Sequence, residues 1–195
     1  MAKVLIPLAN GFEDIEAVSI VDVLRRGGVE VVTASIHGTP GVRSAHGIDM
    51  RADALFDDVE DDDFDAIVLP GGGEGTENLK ACGPLIRRLQ RQHEENRLIC
   101  AICAAPTVLV AAGVLDEDVH VTCYPTCQMD LDREWSPAPV VSDGLIITGQ
   151  APGSALLFSH SAQSCFTHSS ILCSSSVTSS STFFTFSSRH SCNRS

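Results

Sequence analysis

The sequence predicts an α/β fold built on a mostly parallel central sheet, and three observations support this prediction. Residues 3–8, 13–26 and 29–34 have the patterns of an apolar strand, an amphipathic helix and a second strand, which together form a βαβ unit. Residues 66–69 are a further apolar run of the type found in strands that are buried on both faces. Residues 98–113 again show a strand followed by a helix, because a β-prone run leads into an Ala-rich helical segment.

Composition limits the organisation and the partners of the chain. Its 195 residues suit one ordinary domain with a single core. The formal net charge of −12 argues against nucleic acid or an anionic membrane as a partner, because both require a basic surface. No apolar run reaches the roughly 18 residues of a membrane span, and the first apolar run is short and soon followed by acids, unlike a signal peptide. We therefore expect a cytoplasmic protein.

The eight cysteines do not have the arrangement of a disulfide-rich secreted domain. Cys100 and Cys103 form a C-x-x-C pair, which is compatible with a redox pair or half of a zinc site. In a strand followed by a turn, however, the two side chains need not converge. Cys123 and Cys127 have a looser spacing for metal ligands. We therefore expect no metal and no cofactor.

The remaining segments between the main elements are short. Residues 57–65 hold seven acids in nine positions, but their order does not match an EF-hand loop, so a solvated acidic loop is the simpler interpretation. Further predicted elements are a hairpin at 41–51, an amphipathic helix at 84–95, and short strands at 119–123, 139–142 and 145–148, the last two joined by an Asp-Gly turn.

The end of the chain has a different composition. Residues 151–158 begin a helix, but from Ser159 onward 15 of 37 residues are serine, which is a poor helix former. The phenylalanines at 183, 184 and 186 show no amphipathic period. These features predict a folded domain over residues 1–158 and an atypical Ser-rich tail over residues 159–195 that is disordered or foreign to the fold.

Cys103 lies where the strand at 98–102 meets the following helix. Such an elbow places a side chain at the carboxyl end of a sheet and the amino end of a helix, where unpaired N–H groups and the helix dipole favour a thiolate. Ala104 allows a tight turn, and Pro106 suits a first helical turn. We predict that Cys103 is a nucleophile. The alternative is a buried structural cysteine.

Two other segments reach the same edge of the predicted sheet. The glycine-rich loop at 71–75 lacks both common phosphate-binding patterns, so its N–H groups are better candidates for an oxyanion hole. Glu16 follows the loop after the first strand, and parallel topology brings it towards Cys103. A carboxyl beside a thiolate in a partly apolar pocket tends to stay protonated. Spacing alone favours Glu16 no more than Glu13 or Asp14, and a solvated acid on the first helical turn is the alternative.

Five segments together resemble the ThiJ/PfpI superfamily, in the branch of the Parkinson-disease deglycase (DJ-one) and bacterial ThiJ proteins. They are GFEDIEA with Glu16, LPGGG from Leu69, AICAAP around Cys103, Tyr124-Pro125 and GQAPGSAL, in the order of that family, and the resemblance runs over residues 3–158. It implies a flavodoxin-like three-layer sandwich and a homodimer.

The resemblance also implies roles for individual residues. Cys103 would be the nucleophile and Glu16 its protonated partner. An oxyanion and substrate site would include Gly71, Gly72, Ala104 and Tyr124, and a secondary pocket on the dimer side would include Arg26 and His46. Relatives often have arginine at the position of His46, and some have histidine at that of Tyr124. The protease-like branch has histidine at the position of Ala104, which argues against a peptidase.

These residues imply a cofactor-independent glyoxalase or deglycase that uses Cys103 on small α-oxoaldehydes, such as methylglyoxal, or on glycated adducts. The alternative is a cysteine-based sensor of oxidative stress or a redox-regulated chaperone, because the same thiol would be oxidised readily. A third interpretation is an inactive member, since relatives end in helices that pack on the sheet and the Ser-rich tail departs from them.

Overall fold

In the computed structural model, which describes residues 1–167, the chain forms nine strands and six α-helices. The strands are β1 (Lys3–Leu8), β2 (Glu30–Ser35), β3 (Gly41–Arg43), β4 (Asp49–Arg51), β5 (Ala54–Leu55), β6 (Ala66–Leu69), β7 (Leu98–Ile102), β8 (Val140–Asp143) and β9 (Ile146–Gly149). The helices are α1 (Asp14–Arg26), α2 (Phe56–Val59), α3 (Gly73–Ala81), α4 (Gly83–Glu94), α5 (Pro106–Ala112) and α6 (Ala155–Thr167).

Seven strands form the central sheet, in the order β5-β2-β1-β6-β7-β9-β8. The described pairs are parallel except for β8 with β9, and β3 and β4 form a separate antiparallel hairpin. From β1 the next strands are added outward on one side, as β2 and β5, and the later strands are added on the other side, as β6 and β7. The order of the strands along the chain therefore reverses between β1 and β6. Loops after β1 and β6 therefore meet at one edge, which is where ligands bind in open α/β sheets. The predicted α/β class with a mostly parallel sheet is confirmed.

Two apolar clusters, one on each face of the sheet, give the three-layer sandwich. One contains side chains of α1 and α6 with Val4, Ile6 and Leu8 of β1. The other contains side chains of α3, α4 and α5 with Leu5 of β1. Successive residues of β1 thus point to opposite layers, as expected for a strand buried on both faces.

The sheet edge near residue 120 differs from the prediction. The segment 119–123 is not a strand, since Val121 makes an isolated bridge to Trp135 and nothing longer. The Trp135 indole N–H donates to the Cys123 carbonyl at 3.0 Å. A hydrogen bond from a side chain therefore satisfies a carbonyl that a neighbouring strand would otherwise bind. The glycine-rich loop also differs from the prediction. It is shorter than the predicted loop at 71–75, because α3 already begins at Gly73.

The boundary that we placed at residue 158 lies inside α6, which continues to Thr167. Ala155, Phe158 and Ala162 are buried at helical spacing against the layer that contains α1. The serines are tolerated because their hydroxyls donate back along the helix, as Ser159 does to the Ala155 carbonyl at 2.7 Å. Packing therefore overrides the low helix propensity of serine. The rest of the predicted tail, residues 168–195, lies outside the described residues.

Candidate functional site

Cys103 lies in the turn between β7 and α5, as the elbow pattern predicts. Its φ of +64° is in the left-handed region, which residues other than glycine rarely adopt. Backbone bonds fix the turn from both sides, because the Cys103 N–H donates to the Gly149 carbonyl at 2.9 Å and its carbonyl accepts from the Tyr124 N–H at 2.7 Å. The side chain is held at the carboxyl edge of the sheet.

Glu16 is fully buried on the first turn of α1. Its Oε2 accepts a hydrogen bond from the Gly71 N–H at 2.8 Å, and its own N–H donates to Glu13 Oε2 at 2.8 Å. Glu13 in turn donates its N–H to the Gly71 carbonyl at 2.9 Å. These three bonds join the loops after β1 and β6 and fix the orientation of the Glu16 carboxyl.

Glu16 and Cys103 meet beside Gly71. A Cβ built on Gly71 would lie 2.7 Å from Cys103 Cβ and 2.8 Å from Glu16 Oε2, so a side chain at this position would separate the two groups. The carboxyl and the thiol affect each other's pKa, both through hydrogen bonding and through charge. The second oxygen, Oε1, is buried and has no hydrogen-bond partner in the described part of the chain. The carboxyl thus keeps unused hydrogen-bonding capacity at the site.

The two groups do not ionise independently. Burial, together with the nearby charge of Glu13, raises the pKa of Glu16 to about 7, against the opposing effects of the Gly71 N–H and Cys103. Burial and the Glu16 carboxylate raise the pKa of Cys103 well above its usual value, although the N–H groups of Ala104 and Gly72 oppose that shift. The pair therefore holds two protons at acid pH and one above about pH 7, and that one rests mainly on sulfur.

Our expectation of a thiol acidified by the helix terminus is therefore wrong for the resting pair. α5 has only seven residues, and the sulfur is mostly shielded from water. Burial then outweighs the small dipole of a short helix. A thiolate forms here only when Glu16 carries the proton.

The backbone donors around the sulfur differ in part from the predicted set. The N–H groups of Gly72 and Ala104 both interact with the Cys103 sulfur, as an oxyanion or thiolate cradle would require. The Gly71 N–H is instead committed to Glu16. The glycine at 72 is needed for a different reason, because its φ is +101° and an added Cβ would lie 2.2 Å from the Gly11 carbonyl oxygen. Close packing of two backbone loops explains this glycine.

Tyr124 lies beside the elbow through its backbone, since its N–H binds the Cys103 carbonyl. The residue is 40% exposed. The ring is therefore available to a ligand at the mouth of the site.

Arg26 and His46 lie apart within one chain, so the predicted secondary pocket on the dimer side stays a prediction. His46 lies on the β3–β4 hairpin, where its Nδ1 is 2.6 Å from Asp14 Oδ2 at the start of α1. Arg26 is ten residues beyond Glu16, at the other end of α1, which corresponds to about 15 Å along the helix. It pairs there with Asp22 at 2.8 Å.

Glu13, which the sequence offered only as an alternative to Glu16, has a supporting role in the site. It caps α1 and adds the negative charge that helps keep Glu16 protonated. Two acids three residues apart at a helix start have the spacing of a capping box, and this signal was available in the sequence.

Among the described residues, Glu13, Asp14 and His46 form one group whose ligand atoms lie within 4.8 Å of one another, which is close enough to hold a metal ion. These carboxylates already accept hydrogen bonds from the Glu16 N–H, the Ser44 hydroxyl and His46.

The six cysteines in the described part of the chain are all free thiols. Within residues 1–167, no helix is long and apolar enough to cross a bilayer.

Comparison with known proteins gives a consistent assignment. Residues 2–164 match the DJ-1/PfpI family. The chain is 44% identical over 159 residues to Protein DJ-1 homolog B of Arabidopsis thaliana, covering 80% of this chain and 36% of that protein. It is 34% identical over 154 residues to Deglycase TK1284 of Thermococcus kodakarensis, covering 77% of this chain and 91% of the relative.

A solved structure of oxidized Toxoplasma gondii DJ-1 superposes with a TM-score of 0.82 at 36% identity, covering 85% of this chain and 91% of that one. The chain spans well under half the length of the two Arabidopsis relatives, 36% and 41%, but most of the length of the archaeal and Toxoplasma proteins. The elbow thiol, the buried carboxyl beside it and these matches lead to one assignment: the chain belongs to the DJ-1/PfpI family.

Proposed function

We propose that the chain is a cofactor-independent enzyme that converts small α-oxoaldehydes, such as methylglyoxal, into hydroxy acids, or removes the same groups from glycated thiols and amines. The observation that carries this proposal is that Glu16 and Cys103 meet beside Gly71, where burial raises the pKa of both groups and each affects the pKa of the other. The name of the archaeal relative, a deglycase, supports the same class of reaction.

The first step is addition of sulfur to the aldehyde carbon. Glu16 takes the thiol proton of Cys103 as the C–S bond forms, and this proton passes to the aldehyde oxygen, which gives a hemithioacetal. The N–H groups of Gly72 and Ala104 stabilise the oxygen while it is negative. No oxidant or reductant takes part.

Glu16 then transfers a proton between carbons. As a carboxylate it removes the hydrogen on the former aldehyde carbon and returns that proton to the neighbouring carbon. The proton of the hemithioacetal hydroxyl passes to the former ketone oxygen, so that a thioester of a 2-hydroxy acid forms with no net gain or loss of atoms. Water cleaves the thioester, and Cys103 recovers its proton. A carboxyl with a pKa of about 7 is suited to both halves of this transfer near neutral pH.

A second candidate function is oxidation sensing. Two equivalents of a hydroperoxide would convert the Cys103 thiol to a sulfinic acid, each oxygen transfer releasing water or an alcohol. The N–H groups of Gly72 and Ala104 and a protonated Glu16 offer hydrogen-bond donors to the two sulfinate oxygens. Mass spectrometry after mild peroxide treatment tests this function, which predicts a two-oxygen adduct on Cys103 and not on the other cysteines.

We also propose that two copies of the chain pair through α1 and the hairpin. Ile15, Val18 and Ile48 are 57%, 54% and 58% exposed, which is unusual for side chains of this size. The first two lie on α1, and the hairpin that carries Ile48 is bonded to the start of α1 through Ser44 and Asp14. A shared apolar face would cover these side chains.

The enzyme proposal is tested by incubating the protein with methylglyoxal in the absence of glutathione and measuring lactate. Activity should disappear in Cys103→Ala and fall by about two to four orders of magnitude in Glu16→Gln, which removes the proton-transferring group. Cys82→Ala is the matched control, because Cys82 is a free thiol between α3 and α4. Equal lactate formation by wild type and Cys103→Ala would refute the proposal.

A further inference from the structure

A small cavity lies on α4, on the layer opposite to α1 and away from Cys103. It has a volume of about 180 Å³ and lies between the first turns of α4 and the acidic stretch after α2. Its lining residues are Glu60, Asp61, Pro84, Arg87, Arg88 and Arg91. Arg91 lies one turn after both Arg87 and Arg88, so all three side chains border the cavity, with Arg87 exposed and Arg88 buried.

Arg88 is the unusual member of this lining. Its residue surface is only 3% exposed, and its Nε and Nη1 are buried without a hydrogen-bond partner in the described part of the chain. The remaining nitrogen, Nη2, donates to the Asp62 carbonyl oxygen at 3.2 Å. No carboxylate within residues 1–167 forms an ion pair with Arg88, whereas Arg91 pairs with both Asp63 and Glu95. A buried guanidinium with two unused donors is costly.

The surroundings of Arg88 make this cost larger. Burial, and then the charge of Arg91, lower the pKa of the Arg88 guanidinium, and Arg97 acts in the same direction. The opposing effects of Glu95 and Asp63 come from carboxylates that already bind Arg91 and Arg97. The Arg88 guanidinium lies over the Phe64 ring, 5.9 Å from its centroid, but within residues 1–167 it forms no ion pair with a carboxylate.

We propose that this cavity binds phosphate, either free or as the group of a phosphomonoester, with Arg88 as its main ligand. A planar guanidinium binds two oxygens of such an anion at once, and Arg87 and Arg91 add positive charge at the rim.

The two acids in the lining define which oxyanion fits. Glu60 and Asp61 repel a fully ionised anion such as sulfate, but a carboxylate accepts a hydrogen bond from a protonated phosphate oxygen. Inorganic phosphate carries such a proton near neutral pH and sulfate does not, whereas a phosphomonoester, with a second pKa of about 6, carries it chiefly at slightly acid pH. The site therefore selects phosphate over sulfate.

The test is calorimetric titration of the full chain with inorganic phosphate at constant ionic strength, with sulfate and glycerol phosphate titrated in parallel. Saturable phosphate binding, with sulfate at least about tenfold weaker, is expected. Binding of glycerol phosphate as well identifies a phosphomonoester site, and its exclusion identifies a site for free phosphate. Absence of saturable phosphate binding, or equal binding of sulfate, overturns the proposal.

Variants connect the binding to the cavity. Arg88→Met should lose phosphate binding while keeping or raising Tm in phosphate-free buffer, because it removes a buried charge without a counter-ion. Arg43→Met is the matched control, since it removes the same charge from the distant hairpin. If Arg88→Met does not fold, Arg88→Lys should still weaken binding, because an ammonium cannot bind two oxygens in the same way. Unchanged binding in the Arg88 variant that folds would contradict the proposal.

Discussion

The backbone N–H of Gly71 donates a hydrogen bond to Glu16 Oε2 at 2.8 Å. A Cβ atom added to Gly71 would lie within 3 Å of both that oxygen and Cys103 Cβ. The loop after β6 thus orients the acid and also leaves the space in which the acid approaches the thiol. This relationship leads to the first prediction.

Gly71→Ala should lower kcat/KM by about 100-fold, because displacing a reacting group by about 1 Å has an effect of that size. The backbone of Gly71 does not have a positive φ, so steric displacement and not backbone strain is responsible. Steady-state kinetics with methylglyoxal measure the effect. Gly73→Ala is the control, since a Cβ there meets nothing within 4 Å and kcat/KM should stay the same.

The raised pKa of Glu16 predicts a specific pH dependence of stability. The pKa rises from 4.5 to about 7 on folding, so the folded protein holds the proton more tightly than the unfolded chain. The stabilisation from this group is complete below pH 4.5 and is lost as the pH rises to about 7, an effect of up to about 3 kcal/mol.

Glu16→Gln has no proton to lose, so the free energy of unfolding of wild type minus that of the variant should fall between pH 4.5 and 7. Urea unfolding at several pH values measures this difference, in which contributions of other titratable groups cancel. A pH-independent difference would show that Glu16 ionises as an ordinary solvated carboxyl.

The packing of α6 predicts that substitution of a buried residue of this helix strongly lowers stability, although the helix lies where serine becomes frequent in the sequence. Phe158 is fully buried, and Phe158→Ala should lower the free energy of unfolding by about 3–5 kcal/mol. Leu156→Ala, two residues earlier on the same helix but 62% exposed, should change it by less than about 0.5 kcal/mol. Chemical denaturation compares the two, and similar losses would contradict the observed orientation of α6.

The proposed pairing through α1 predicts that a charge on the exposed apolar face blocks dimer formation. Val18→Glu places a carboxylate within that face and should give a monomer by light scattering at concentrations where wild type is a dimer. Leu145→Glu is the control, because Leu145 is also an exposed apolar residue but lies in the β8–β9 turn. A wild-type chain that is monomeric at all concentrations would remove the dimer proposal.

Much of the sheet and the central pair of the site can be predicted from the sequence. The strands β1, β6 and β7 are continuous apolar runs with clear ends, and parallel topology then brings Glu16 and Cys103 to the same edge. The elbow at Cys103 could be predicted because its strand, turn and helix signals are adjacent in the chain. In these cases local patterns and tertiary packing agree.

The rest depends on contacts that the sequence does not display. The continuation of α6 is fixed by packing of Phe158 and Ala162, which outweighs the serine content around them. The Gly71 N–H donates to the Glu16 carboxyl, which lies 55 residues earlier in the chain. The sequence around Gly71 does not display this contact, so it could not show that the N–H is unavailable to an oxyanion. The pKa of the Cys103 thiol depends on burial and on Glu16, neither of which a helix-terminus argument includes.

The proposed chemistry requires that Glu16 and Cys103 ionise as a coupled pair, and titration of the Glu16 carboxyl carbon by NMR measures this coupling. We predict a midpoint near pH 7 in wild type, and a higher midpoint in Cys103→Ala, because the thiol lowers the pKa of the carboxyl. A midpoint at the ordinary glutamate value of about 4.3, unchanged when the thiol is removed, would contradict the account.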